Sequence, residues 1–380
     1  MNRTQKAFWI FVLLTVFTMI PDRLLFVLFP IYLIQNNFSA TAIGIIFSVA
    51  ALLLALSRTF IGRLSDRIGR KRMMSLGLLI DGIAISFYPA ISKIYEFAVV
   101  KGIKEIGYTL QESLGDSLQA DSFPRKTRPR YIAKLGIVVP IARAMSAIVG
   151  IIIVAYFSII FGFYIAAFFM FVAFLFFAIF YKDSKAKIHK EKLRFNLLKH
   201  PPKVKLMAFA SFMQSLTFAI AYYPAFFVLA EKHLAVHADT IFMIFLVLYI
   251  LATFILYFIS RHIYSFGKKN ILIATFILFA VFIIAYAFVQ SALALAITAI
   301  IIGIIYYVWR VSFKTISMDC AEPKQRGEQL GFIKTMDGVG MVIGPLVGGI
   351  LIDTFGIQMP FLVSAPLFLL AALVLYFRKV

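Results

Sequence analysis

A single cysteine, Cys320, stands in a chain of 380 residues, which excludes an intramolecular disulfide and any thiolate cage for a metal. Acids are scarce too. Asp and Glu number 17 against 38 Lys and Arg, and the four charged types together make up only 14% of the chain. No HExxH pair, glycine-rich phosphate loop or nucleophile triad occurs, so no enzyme is expected and no cofactor is implied. His233 and His237 have the four-residue spacing of a helix-borne metal pair, but with no third ligand in place they read as surface histidines, and no metal site is expected.

What fills the chain instead is apolar. Hydrophobic residues make up 62% of it, 42 of them Phe, and the mean hydropathy is +0.94. A soluble protein of this length could not hide so much apolar surface, so lipid must be the solvent for most of it. Roughly twelve segments approach or exceed the ~20 residues a membrane helix needs: 7–34, 42–61, 73–91, 96–118, 131–156, 162–181, 203–230, 239–260, 271–290, 293–318, 329–352 and 357–377. No space remains for a soluble domain. The first run has no small-residue cleavage site and continues past Pro30, so it reads as a retained helix and not a signal peptide.

The net charge of +21 suggests nucleic acid until the bases are sorted by segment. About 28 of the 38 fall in the N-terminus and in every second loop, and the intervening loops hold only Lys93 and Lys232. That bias places both termini and the basic loops in the cytoplasm, against anionic lipid heads, and removes nucleic acid as a partner. The expected location is the cell membrane, and the expected state is a monomer among lipids.

The run Gly62-Arg63-Leu64-Ser65-Asp66-Arg67-Ile68-Gly69-Arg70-Lys71-Arg72 joins segments 2 and 3. It resembles the helix 2 to helix 3 loop motif of the major facilitator superfamily, a large group of secondary transporters. Lys101-Gly102-Ile103-Lys104-Glu105-Ile106-Gly107 is similar to that family's helix 4 motif, with Lys101 in place of Arg and Glu105 in place of the first Gly. Gly340, Gly344, Pro345 and Gly348 on segment 11 resemble its Gly-rich antiporter pattern, of which segment 5 keeps only a degraded copy. The resemblance implies an all-α polytopic fold of two pseudo-symmetric six-helix bundles: 1–181, a basic cytoplasmic linker over 182–202, and 203–380. Internal matches agree with it. Gly69-Arg70-Lys71 answers Gly267-Lys268-Lys269, and Ala147 to Gly150 answers Pro345 to Gly348 at an offset of 198, while Pro30-Ile31-Tyr32 answers Pro224-Ala225-Phe226.

By resemblance, Gly62, Asp66, Arg67, Gly69 and Arg70 form a cytoplasmic latch against the start of segment 11, with Asp121 as a further anion for the cluster. The stripe Gly340, Gly344, Gly348, with a kink at Pro345, serves either tight packing or a sliding helix.

Charges within the apolar segments carry the most functional weight, because each costs several kcal/mol unless paired or hydrated. Asp22 and Arg23 lie near the middle of segment 1; as neighbours they project about 100° apart and need not pair. On segment 4, Lys101, Glu105, Tyr108 and Glu112 share one face. Segment 10 carries Trp309, Arg310 and Lys314, and Asp81 on segment 3 stands as an outlier. In the family, segments 1, 4, 7 and 10 line the cavity, which assigns Arg23, Lys101, Tyr108, Gln214, Tyr222, Tyr223, Trp309, Arg310 and Lys314 to substrate. Asp22 is the first choice as a proton-coupling acid, then Glu105; Glu112 is either another or a substrate contact. Arg58 and Lys334 are expected to snorkel to the cytoplasmic face.

The expected function is secondary transport of a small organic solute by alternating access, driven by protons, with efflux or antiport preferred. Two alternatives stand beside it: uptake or exchange of an organic anion clamped by Arg23 and Arg310, and a receptor or scaffold that keeps the fold without moving solute.

Overall fold

The computed structural model describes the backbone of residues 3–124, 127–181, 200–262, 267–322 and 325–378. Within its helices it describes every side chain except those at 3, 59–67, 116, 120, 129, 133, 256–262 and 326. Most of the expected linker, 182–199, and the side chains of Gly62, Asp66 and Arg67 therefore lie outside the described residues.

The described residues contain no strand. They form twelve long helices: α1 (Arg3–Gln35), α2 (Ala40–Ile68), α3 (Arg70–Phe87), α4 (Ile94–Ser122), α5 (Arg128–Tyr156) and α6 (Ile159–Phe180), then α7 (Pro202–His233), α8 (Ala238–His262), α9 (Lys268–Ala287), α10 (Ala292–Cys320), α11 (Arg326–Phe355) and α12 (Met359–Phe377). Eleven are long and apolar enough to cross a membrane. The twelfth, α4, has the length at 29 residues but carries Lys101, Lys104, Glu105 and Glu112 along its span. The α7 helix is interrupted. It runs as Pro202–Tyr222, resumes at Ala225–Val228 after Pro224, which has no N–H to give, and closes in a π turn over Leu229–His233.

Local chemistry sets the helix ends. Asn37 at φ 62° stops α1, and Gly69 at φ 100°, Gly267 at φ 77° and Gly356 at φ 94° adopt the left-handed backbone that only Gly enters without strain. Ser158 Oγ accepts from Phe161 N to start α6, Ser291 Oγ accepts from Ala294 N to start α10, and the Glu96 carboxylate accepts from Ser92 N and Lys93 N ahead of α4.

By contact the chain falls into two compact units. One holds Met1–Tyr32, Val49–Lys190 and Ala238–Tyr249; the other holds Leu33–Ser48, Glu191–His237 and Ile250–Val380. Each sequence half thus gives a stretch containing the start of one helix, α2 or α8, to the unit built mainly from the other half.

In the first unit, α3 meets α4 backbone to backbone. A Cβ at Gly77 would lie 2.9 Å from the Gly107 carbonyl oxygen, and one at Gly107 would lie 2.8 Å from that of Gly77. The helix α6 has no charge in 22 residues and buries Gly162, Ala166, Ala167 and Ala173 together with Phe163, Met170 and Phe177, leaving Phe168 and Ile179 60% and 67% exposed. The small residues let backbones approach closely, and the exposed bulky apolar groups lose nothing by facing acyl chains.

In the second unit, the stripe on α11 lies against α7. Added Cβ atoms would fall 2.6 Å from Leu216 N at Gly340, 2.8 Å from Leu216 O at Gly344 and 2.5 Å from Ile220 O at Gly348. The anticipated repeat also appears in three dimensions. Arg70 Nη1 pairs with Asp121 Oδ2 at 2.7 Å in the first unit, and Lys268 Nζ pairs with Asp319 Oδ2 at 2.6 Å in the second. Each base follows a left-handed Gly, and each acid lies 51 residues further on.

Candidate functional site

In the first unit, α1 and α4 bring the mid-span charges of both helices together. Arg23 donates to one oxygen of Asp22 through both Nη2 (2.6 Å) and Nε (2.9 Å). As sequence neighbours they need not pair, yet here they do. The arginine is long enough to fold back along α1, and bringing an unpaired carboxylate to mid-span costs more than that rotamer. Lys104 Nζ reaches the other Asp22 oxygen at 4.0 Å and Glu105 Oε1 at 3.8 Å, while Lys101 donates to the same Glu105 oxygen at 3.0 Å. Two acids and three bases thus form one connected network. Each base also lies over a ring: Arg23 5.2 Å from Phe26, Lys101 5.2 Å from Phe29 and Lys104 4.9 Å from Tyr108. Cation–π attraction steadies cations that have lost most of their water.

Two devices hold the network in place. Pro21 interrupts the hydrogen-bond ladder of α1 just before Asp22, and Ser146 of α5 donates from Oγ to the Ile20 carbonyl at 2.9 Å. On α4, Thr109 Oγ1 donates to the Glu105 carbonyl, fixing the turn that presents Glu105. Arg143 on α5 acts electrostatically on Asp22, and Tyr108 and Tyr249 act on Arg23.

Lys104 is the member that sequence reasoning missed. Sorting α4 by face puts Lys101, Glu105, Tyr108 and Glu112 in one row and Lys104 beside it, yet Lys104 is the more buried lysine, with its side chain 7% exposed. Its place next to Glu105 and four residues before Tyr108 was the available signal. Asp81, the apparent outlier, is fully buried on α3. Its Oδ2 accepts from Gln111 Nε2 at 2.8 Å, and its Oδ1 has no hydrogen-bond partner among the described residues.

Other candidates stand apart from the network. Glu112 lies two turns beyond Glu105 and pairs with Arg58 of α2 at 2.8 Å. Arg70 pairs with Asp121, as above. In the second unit, Gln214 is buried, and Tyr222 stacks between Phe218 (4.8 Å) and Phe226 (4.9 Å). Tyr223 lies 5.1 Å from Phe47. Trp309 packs with Tyr306 and Phe313, its indole N–H unpartnered among the described residues. Arg310 and Lys314 are exposed and enter no ion pair among the described residues, while Asp337 accepts from Ser215 Oγ at 2.7 Å.

Comparison with known proteins places this architecture. A 107-residue stretch, 27% of this chain and 27% of the relative, is 34% identical to a proton-coupled antiporter flippase, LtaA, of Staphylococcus haemolyticus. Another of 118 residues, 31% of this chain and 27% of the relative, is 28% identical to a gentisate transporter of Corynebacterium glutamicum. The chain thus matches about a quarter of the length of these curated relatives. The crystal structure of the nucleoside transporter NupG superposes over 100% of this chain and 100% of that one, with a TM-score of 0.78 at 15% identity, a likeness of fold alone. The family model for the Major Facilitator Superfamily matches residues 11–262 and again 206–380, so both halves carry its pattern. By that match across its length, this chain belongs to the major facilitator superfamily.

Proposed function

We propose that the protein is a secondary active transporter that moves a small organic solute by alternating access, with proton movement through Asp22 and Glu105 as the coupling step, antiport or efflux being the favoured direction. The observation that carries this reading is the five-membered network of Asp22, Arg23, Lys101, Lys104 and Glu105 on α1 and α4. Charges at mid-span are costly, and a purely structural bundle has no need of five in one place. A proton arriving at Asp22 cancels its attraction for Arg23 and Lys104 together and frees two cations to seek other partners. That is how protonation becomes a change of contacts, which is what coupling requires. The curated relative described as a proton-coupled antiporter flippase supports the same mechanism. On this reading the solute contacts nearest the network are Arg23, Lys101 and Tyr108. The protein sits in the cell membrane with both termini in the cytoplasm, on the positive-inside bias of its loops.

The deciding experiment uses purified protein in liposomes loaded with a pH-sensitive dye, screened with candidate solutes. Wild-type protein is expected to move protons only when its solute is present, and Asp22→Asn to abolish that flux. Solute-dependent flux that survives Asp22→Asn ends the assignment of Asp22.

A second reading, transport of an organic anion, is favoured by exposed Arg310 and Lys314, which have no carboxylate partner among the described residues. The relative described as a gentisate transporter, whose named substrate is a carboxylate, points the same way. Anion-dependent thermal stabilisation that disappears in Arg310→Ala, with neutral analogues without effect, would select it.

A further inference from the structure

We propose that Asp353 is a clasp that holds the start of α2 to the end of α11, and that opening it is a required step of the cycle; this rests on the alternating-access reading above. The carboxylate of Asp353 accepts from both of the first two amides of α2, Ala40 N (3.2 Å, Oδ1) and Thr41 N (2.7 Å, Oδ2). The first amides of a helix have no partner within it and carry the positive end of its dipole. A carboxylate from another helix therefore satisfies two orphan donors and a partial charge at once. The side chains of Ser39 and Thr41 also bond to it, so the acid is gripped from four directions.

Below the clasp, the two helices touch along their backbones. A Cβ at Gly349 would collide with the Ala40 carbonyl, and one at Gly44 with the Pro345 carbonyl. One turn further, Leu346 N donates to Ser48 Oγ at 3.1 Å. Close approach without side chains lets two short polar contacts govern the whole seam, since little interdigitation has to be undone. The seam ends where α2 passes from one compact unit to the other, between Ser48 and Val49. A motion that carries α2 as one straight helix away from α11 must break the clasp.

The device is one-sided. At the offset of 198 that relates the halves, the residue matching Asp353 is Ala155, and Ala238 and Asp239 match Ala40 and Thr41. In that other seam Gly150 faces the Phe242 ring, and Phe26 meets Phe245 at 5.5 Å, so it carries ring contacts and has a methyl group, Ala155, at the position of the carboxylate. Apolar rings slide with little cost, whereas two charge-assisted hydrogen bonds break as discrete events. The α2–α11 seam thus sets the rate of opening.

The test needs no solute. In a Cys320→Ser background, Ser48→Cys places a thiol on α2 at a buried position that meets Leu346 of α11 in the seam. The full-length protein in lipid nanodiscs is treated with a hydrophilic maleimide, and the rate of labelling reports opening. Asp353→Ala is expected to speed labelling about tenfold, the factor one charged hydrogen bond is worth. Thr41→Pro removes one donor from the opposite partner at a first-turn position that tolerates Pro, and is expected to speed it about threefold. If Asp353→Ala does not fold, Thr41→Pro decides alone. Unchanged labelling in Thr41→Pro overturns the capping contact, and unchanged labelling in both overturns the clasp. Neither result bears on proton flux through Asp22, so the two readings fail separately.

Discussion

Lys104 has two acids and one aromatic ring within reach, and almost none of its surface meets water. Its two carboxylate contacts, 4.0 and 3.8 Å, are longer than those each acid makes with its own base. The network is therefore two tight pairs bridged by one shared cation, and its members should differ in cost. Arg23→Leu takes from Asp22 its one close base, leaving the more distant Lys104 and Arg143, and is expected to destabilise by about 3 kcal/mol. Lys104→Met leaves both tight pairs standing and is expected to cost on the order of 1 kcal/mol. Thermal unfolding in one detergent, read by tryptophan fluorescence, gives the order; a larger loss in Lys104→Met would show the bridge to be the main support. Little of this network was legible in the sequence. Spacing along α4 finds which residues share a face, but the crossing of α1 and α4 decides which of them meet, and neither helix encodes that register alone. The Asp22–Arg23 pair escapes for a related reason, since a 100° projection describes Cβ directions and not where a long guanidinium ends.

At the scale of the helix, the sequence was far more legible. Apolar runs of about 20 residues have one way to satisfy their backbone in lipid, so the twelve segments followed from hydropathy and length. The ends lie deeper in the polar flanks than the runs suggest. The α1 helix starts at Arg3, not 7, and α5 at Arg128, not 131, because helix propensity continues where hydropathy stops. The interruption of α7 after Tyr222 was not foreseen, although Pro224 was in view. The glycines divide by surroundings, which yields two opposite expectations. Gly344→Ala drives a Cβ to 2.8 Å from the Leu216 carbonyl and 2.5 Å from the Ala219 Cβ, so α7 and α11 must part. A loss of about 2 kcal/mol is expected. Gly331→Ala meets open space on the same helix and should gain up to about 1 kcal/mol from restored helix propensity. Equal melting shifts for the two variants would contradict this account of the stripe.

For the molecule as a whole, duplication shows most plainly in the paired clamps. Arg70 with Asp121 and Lys268 with Asp319 repeat one construction at a shift of 198 residues; the sequence showed the Gly–base half in both copies and Asp121 in the first, while Asp319 went unremarked. Both pairs are partly exposed, so each is expected to couple by no more than about 1 kcal/mol in a double-mutant cycle and to weaken as salt rises. A coupling of several kcal/mol in either would mark it as buried during part of the cycle. The proposed orientation is tested at the same scale. In the Cys320→Ser background, a thiol at Ser92 between α3 and α4 should react with an impermeant reagent added to intact cells. One at Thr127 between α4 and α5 should react only after lysis, and the reverse pattern would invert the topology.

The second clamp has a practical sequel. The chain's sole thiol, Cys320, follows Asp319 directly at the end of α10 and is half-buried. A trifluoromethyl group attached there would place a magnetic-resonance probe beside the Lys268–Asp319 pair without engineering a site. Splitting of its fluorine signal into two lines would count the populations of clamped and released protein directly, at equilibrium, in the otherwise native molecule.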